Sequence, residues 1–304
     1  MYPENGTRDL IGYGRTPPDP QWPNGARVAL NFVLNIEEGS EYAFGNGDGR
    51  SEASLTEMGD SPVPLGERDL AAESMFEYGS RVGVWRILGL FARRKMPLTA
   101  FACAMVLEQQ PAIAAALRDA GHDVCCHGWR WVEHYRLSED EERRHIAMAV
   151  ESLKRTMGAG PAGWYCRYGP STNTRRLVHE HGGFLYDSDA YNDELPYYVT
   201  VMGEPHLVVP YTLTNNDTKF SRGNVASAQE FATVLRDAFD QLYEEGEQTP
   251  KMMSVGMHAR LLGHPARARG LARFLDYVQG HPGVWICRRE DLARHWLETH
   301  KPAR

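Results

Sequence analysis

Apolar residues along this chain first run together and then space out, and the change of period separates strands from helices. Residues 27–35 are an apolar run read as a buried strand. Val82, Trp85, Leu88, Leu90 and Phe91 mark the apolar face of a helix ending near Lys95. Residues 98–103 read as a short strand, 111–120 as a helix stopped at Gly121, and 122–126 as the next strand. Ser138 and Glu141 form a capping box that opens a helix running to about Met157. Residues 163–166, 184–187 and 207–211 are further strands, and the helix over 174–181 is closed by Gly182-Gly183. A second capping box, Ser227 with Glu230, opens a helix through Tyr243. Residues 252–258 are a strand, 266–278 a helix, and 284–287 a last strand before a C-terminal helix. About eight strands with crossover helices predict an α/β fold with a parallel barrel. A flat doubly wound sheet is the alternative, but it would usually carry a glycine-rich phosphate turn after the first strand.

Two segments fall outside that alternation. Residues 1–26 are rich in Pro and Gly and predict an extended arm lying on the body or on a neighbouring subunit, with 27–304 as a single barrel domain. Residues 40–65 form a long polar, glycine-rich loop after the first strand, a length often tied to function.

Composition narrows the function classes. The 304 residues are 42% hydrophobic, enough for one sizeable core. The net charge of −7 leaves no basic footprint, so no nucleic-acid partner is expected. No run reaches the roughly eighteen apolar residues of a membrane span. The first residues lack a basic and apolar leader, which predicts a cytoplasmic protein. The five cysteines have no C-x-x-C spacing and read as buried reduced thiols.

Polar groups recur at the ends of the predicted strands. They are Glu37 and Glu38, then His127 followed by Gly128-Trp129-Arg130-Trp131, Arg167, Asp187 and Asp189, and His258. In a parallel barrel every strand C-terminus faces one mouth, so these groups would converge. A lone His after a strand is more often a structural hydrogen-bonder. Repetition at one end of successive strands is the feature that points to a site.

At this point the chain resembles the polysaccharide deacetylases, the NodB-homology family. Ile36-Glu37-Glu38-Gly39 is similar to that family's apolar-Asp-Asp-Gly motif, with both acids one methylene longer. His127 matches the first of its two histidines spaced four apart, but the second position holds Trp131. Arg167-Tyr168-Gly169-Pro170 keeps the Arg of its Arg-x-Pro motif and displaces the Pro, and Val255-Gly256-Met257-His258 fits its strand ending in His. The resemblance covers residues 27–296 and implies a distorted (β/α)7 barrel. In the family the second acid and both histidines hold a divalent metal. Here Glu38 and His127 are two ligands, Trp131 cannot ligate, and His134 would serve only if its loop bulged. Ligand count therefore favours a site with no metal and no cofactor.

A metal-independent branch, the PuuE-type allantoinases, resembles the chain more specifically. The match runs through Arg8–Gly14, Pro17-Pro18, Trp22-Pro23, Glu37-Glu38-Gly39, His127–Trp131 and Asp193–Tyr197. The resemblance implies a cytosolic homo-oligomer, taken as a tetramer, that hydrolyses the cyclic amide of allantoin, a small molecule, to allantoate. It implies Glu37 as the base that activates water and Arg167 as its orienting partner. His258 is the candidate acid, since imidazole titrates near neutral pH, with Asp187 or Asp189 behind it. Glu38, His127, Trp131, Trp129, Tyr168, Asp189 and Asn216 are candidate substrate contacts. The competing readings are a metal-dependent deacetylase of N-acetyl sugars and a barrel that only binds its ligand.

Overall fold

The computed structural model describes residues 8–58 and 61–302. Met1 to Thr7, at the start of the predicted arm, lie outside the described residues. One sheet contains β1 (Val28–Ile36), β2 (Thr99–Ala102), β3 (Asp123–Cys126), β4 (Gly163–Trp164), β5 (Tyr186–Asp187), β6 (Tyr197–Val201), β7 (Glu204–Val208), β8 (Lys251–His258) and β9 (Val284–Cys287). The order is β6-β7-β5-β4-β3-β2-β1-β8, and β9 also pairs with β1. All pairings are parallel except β6 with β7. β8 covers one edge of β1, so the other edge is shared, with residues 28–31 against β9 and 33–36 against β2. The sheet curls into the expected distorted barrel. Its two end strands, β6 and β8, do not pair among the described residues, which leaves a seam. A groove of about 1040 Å³ follows that seam, lined by Tyr13, Tyr197, Tyr198 and residues 251–254.

The period of two along β1 decides which side chains reach the site. Val28, Leu30, Phe32, Leu34 and Ile36 join the core beneath the helices. Ala29 and Val33 point the other way and join an inner core with Phe101, Cys125, Tyr165 and Tyr186. Carried past the strand, the same alternation sends Glu37 inward and Glu38 toward the helices. Glu38 then meets the backbone of Gly79, where an added Cβ would lie 2.5 Å from Glu38 Oε1.

Most predicted elements form within a few residues of their expected bounds. Both capping boxes are made, with Ser138 accepting from the Glu141 N–H and Ser227 from the Glu230 N–H. The arm follows the body. Tyr13 donates to the Pro196 carbonyl at 2.7 Å, and the Trp22 indole donates to the Lys251 carbonyl at 3.1 Å. The five cysteines are free and buried. No helix among the described residues is long and apolar enough to cross a membrane.

Three expectations are corrected. The helix read from Val82 starts earlier, as Leu70–Tyr78 capped by Asp69, and passes through a π-helical turn, Gly79–Gly83, into Val84–Arg94. The wide turn shifts the register by about one residue. Val84, Ile87, Leu88, Leu90 and Phe91 are buried, whereas Val82 and Trp85 face solvent. The strand read at 207–211 is β7, shifted toward the N-terminus and paired with the unanticipated β6. Met202 and Gly203 between them both take positive φ, the backbone of a two-residue hairpin loop that matches strand twist. A short helix, Ala104–Gln109, also follows β2, where no helix was expected.

Candidate active site

Glu37, at the end of β1, is enclosed by groups from the ends of β3 and β8 and is 1% exposed. Its Oε1 lies 3.1 Å from His127 Nε2 and 3.7 Å from His258 Nε2. The His127 Nδ1 is 2.8 Å from the Tyr165 carbonyl oxygen, a group that can only accept, so Nδ1 carries a proton. Its other ring nitrogen, Nε2, faces Glu37 Oε1 across 3.1 Å.

Arg260, two residues past β8, supplies the fixed positive charge. Its Nη1 is 2.7 Å from Glu37 Oε2 and 3.3 Å from Glu38 Oε1. Its backbone N–H donates to Glu38 Oε1 at 3.2 Å, and its Nε donates to the Leu55 carbonyl at 2.9 Å. A buried guanidinium between two buried acids compensates charges that would each be costly alone. The Nη1–Oε2 contact is an ion pair without hydrogen-bond alignment. Among the described residues, Glu37 Oε2 and Arg260 Nη2 both lack a hydrogen-bond partner.

The adjacent acids are driven apart. Burial raises the Glu37 pKa, but Arg260, His258 and His127 together outweigh it and hold the carboxyl below the usual range. For Glu38 burial prevails over Arg260, the Glu37 charge adds to it, and the pKa is raised. Neighbouring titratable groups pushed in opposite directions are a common mark of acid–base sites.

His258 is held by Asp217. The Nδ1 lies 2.6 Å from Asp217 Oδ1, and the backbone N–H donates to Oδ2 at 2.7 Å. Asp217 reaches it because Asn216 bridges to Gly256 of β8. Burial lowers the His258 pKa, but Asp217 and then Glu37 outweigh burial and raise it. The raised pKa favours the imidazolium form, whose Nε2–H faces Glu37.

Three guanidiniums pin the loop after β1 over this cluster. Arg130 Nη1 donates to Asp48 at 2.9 Å, Arg167 Nη1 to Glu52 at 2.5 Å, and Arg260 Nε to Leu55. Arg167 also stacks over Trp131 at 3.8 Å from the ring centroid, with Arg260 4.9 Å from the same ring. Trp131 is thus a buried spacer between two cations.

Against known proteins, residues 68–186 match the polysaccharide deacetylase family. A Schizosaccharomyces pombe protein named "Putative polysaccharide deacetylase" is 39% identical over 97% of this chain and 98% of its own. The chain belongs to the polysaccharide deacetylase family. Two solved structures superpose with a TM-score of 0.94 over 97% of this chain and 99% of theirs. One, a "probable Polysaccharide deacetylase" from Pseudomonas aeruginosa, is 50% identical, and the other, PuuE allantoinase, is 49% identical.

The divalent cation implied by resemblance to the deacetylases does not fit this donor set. Trp131 stands where a second histidine would, and an indole N–H only donates. Glu38 already faces a guanidinium. His134 is turned to Glu142, 2.9 Å from its Oε1, and lies edge-on to Trp164. Among the described residues, no group of three His, Cys, Asp or Glu side chains is arranged to hold a metal ion.

The structure brings together Glu37, Glu38, His127 and His258 and sets other candidates apart. Arg167 pairs with Glu52 and Glu133, not with Glu37; the guanidinium beside Glu37 belongs to Arg260. Neither Asp187 nor Asp189 supports His258. Asp187 is held by Arg175 and His206. Asp189 accepts from the Cys166 N–H at 3.0 Å, and its Oδ2 is buried without a partner among the described residues. Burial, then the Asp187 charge, pushes the Asp189 pKa up to about 8. Asn216 braces the loop, donating to the Thr212 carbonyl at 3.3 Å and accepting from the Thr218 N–H. Trp129 packs half-buried on the core, and Tyr168 is 66% exposed beside Tyr191. Arg260 was missed, and Asp217, read only as a polar contact for the substrate, was not expected to hold His258. A signal existed for each, an arginine two places after the strand-terminal His and an acid in the Asn-Asn-Asp turn.

Proposed function

We propose that this chain is a cyclic-amide hydrolase that opens the hydantoin ring of allantoin to give allantoate, without a metal. The observation that carries this reading is the Arg260–Glu37 ion pair, which puts a permanent cation where a deacetylase site would need ligands. The 49% identity to PuuE allantoinase over nearly the whole chain supports the substrate.

Addition of water to a ring carbonyl needs a proton acceptor, and expulsion of the nitrogen needs a donor. Glu37 takes a proton from water as its oxygen bonds to the carbonyl carbon, and the carbonyl π pair moves to oxygen. When the adduct collapses, the C–N bond breaks and the ureido nitrogen takes the proton from His258 Nε2. The Glu37 proton then returns to His258 across their 3.7 Å separation. The new carboxylic acid ionises, so one proton is released per turnover. Burial of the cluster keeps bulk water from competing for these protons.

The test is to incubate the purified chain with allantoin and, separately, with N-acetylglucosamine oligomers. Allantoate formation supports the reading. Acetate release from the oligomers with allantoin untouched would replace it with sugar deacetylation.

A further inference from the structure

Arg260 is buried to 2% exposure, and its donors are unevenly used. Nε donates to Leu55 and Nη1 to Glu38, while Nη2 has no partner among the described residues. Buried donors are nearly always paired, and one left unpaired in a polar site calls for an explanation. The guanidinium packs on the rings of Phe76 and Trp131, at 4.5 and 4.9 Å from their centroids, yet neither ring gives Nη2 the hydrogen-bond acceptor that a buried N–H calls for.

The second orphan belongs to the same ion pair. Glu37 Oε2, 2.7 Å from Arg260 Nη1, also lacks a hydrogen-bond partner. A free donor and a free acceptor side by side complement the reactants of hydrolysis, a carbonyl oxygen that must receive a hydrogen bond and a water that must give one. His258 Nε2 faces the other carboxylate oxygen, Oε1, so donor, acceptor and acid are arranged around one carboxylate. Gly79, with no Cβ, lets Glu38 pack tightly against Arg260 Nη1, the nitrogen that also meets Glu37, so Nη2 is left to another acceptor.

We propose that Arg260 is a catalytic residue, whose Nη2 donates to the substrate's carbonyl oxygen and stabilises the oxyanion that forms there. This rests on the ring-opening reading. In the step, water oxygen bonds to the carbonyl carbon, its proton passes to Glu37, and the C=O π pair becomes a lone pair on the oxygen facing Nη2. On collapse that lone pair re-forms C=O as the C–N bond breaks. A donor aimed at developing charge in a closed, low-dielectric site is among the strongest contributors to hydrolysis. As the oxyanion draws on the guanidinium, its hold on Glu37 loosens and Glu37 becomes the better base.

The experiment compares wild type, Arg260→Lys and Arg260→Ala in allantoin hydrolysis, with circular dichroism melts to confirm folding. Loss of one such donor is expected to lower kcat by about 10²–10³-fold with KM little changed. Arg260→Lys keeps the charge beside Glu37, so its acid limb in the pH profile should stay in place while kcat still falls by at least about tenfold. In Arg260→Ala, millimolar guanidinium should restore activity and ammonium should not. A kcat near the wild-type value in a folded variant, a loss confined to KM, or no response to guanidinium in folded Arg260→Ala would overturn the assignment. If Arg260→Ala does not fold, Arg260→Lys alone decides it. Wild type inactive on allantoin would instead sink the ring-opening reading.

Discussion

Asp217 grips His258 at two points, with Oδ1 2.6 Å from the imidazole Nδ1 and Oδ2 accepting the backbone N–H at 2.7 Å. The first contact fixes the ring and raises its pKa, and the second ties the end of β8 to the loop. The His258 pKa is raised, so its acid form is present at low pH and lost as pH rises through the raised value. Asp217→Asn removes the charge and keeps the shape. The alkaline limb of kcat/KM should then move to lower pH by about one unit or more. An unmoved limb would show that His258 is not the acid.

Glu37 is expected to be ionised across the neutral range, because three positive or proton-bearing neighbours outweigh burial. Glu37→Gln should lower kcat by about 10²–10⁴-fold, the usual contribution of a positioned base. Steady-state kinetics check this, and near-normal turnover would remove Glu37 from the base role.

Asp189 gives a test read in stability rather than in turnover. Its folded pKa is about 8, above the ordinary value near 3.9, so the folded chain binds the extra proton between those limits. Its contribution is complete at low pH and is lost as pH rises toward 8. Asp189→Asn should flatten the fall in Tm between pH 5 and pH 8 by a few degrees. Parallel melting profiles for the two proteins would contradict the burial argument.

Gly79 tests the packing behind Glu38. An alanine Cβ there would meet Glu38 Oε1 at 2.5 Å and its carboxyl carbon at 2.7 Å, and Glu38 is itself held by Arg260. Overpacking of about 1–3 kcal/mol should exceed the gain in helix propensity of about 1 kcal/mol. Gly79→Ala is expected to lower the Tm, and a variant as stable as wild type would mean that Glu38 moves freely.

The strand ends were legible in the sequence because burial on β1 and β8 leaves long apolar runs, and the polar residues at the end of such a run face the barrel mouth. Glu37, His127 and His258 were singled out that way, and the structure brings their side chains together. Partners between strands were not legible. Arg167 lies just past β4 and was assigned to Glu37 by resemblance, yet the loop after β1 brings Glu52 within 2.5 Å of it. That loop has no periodicity from which its path could be read. Asp217 reaches His258 only through the isolated bridge of Asn216 to Gly256, a contact between distant segments. The register of the helix at Val84 was hidden because a π turn breaks the 3.6 period on which the reading relied.

The most direct measurement is the initial rate of allantoate formation by wild-type protein after exhaustive chelation, beside an untreated sample and one given zinc. A guanidinium in place of the cation predicts equal rates in all three. Activity lost on chelation and restored by zinc would contradict the account.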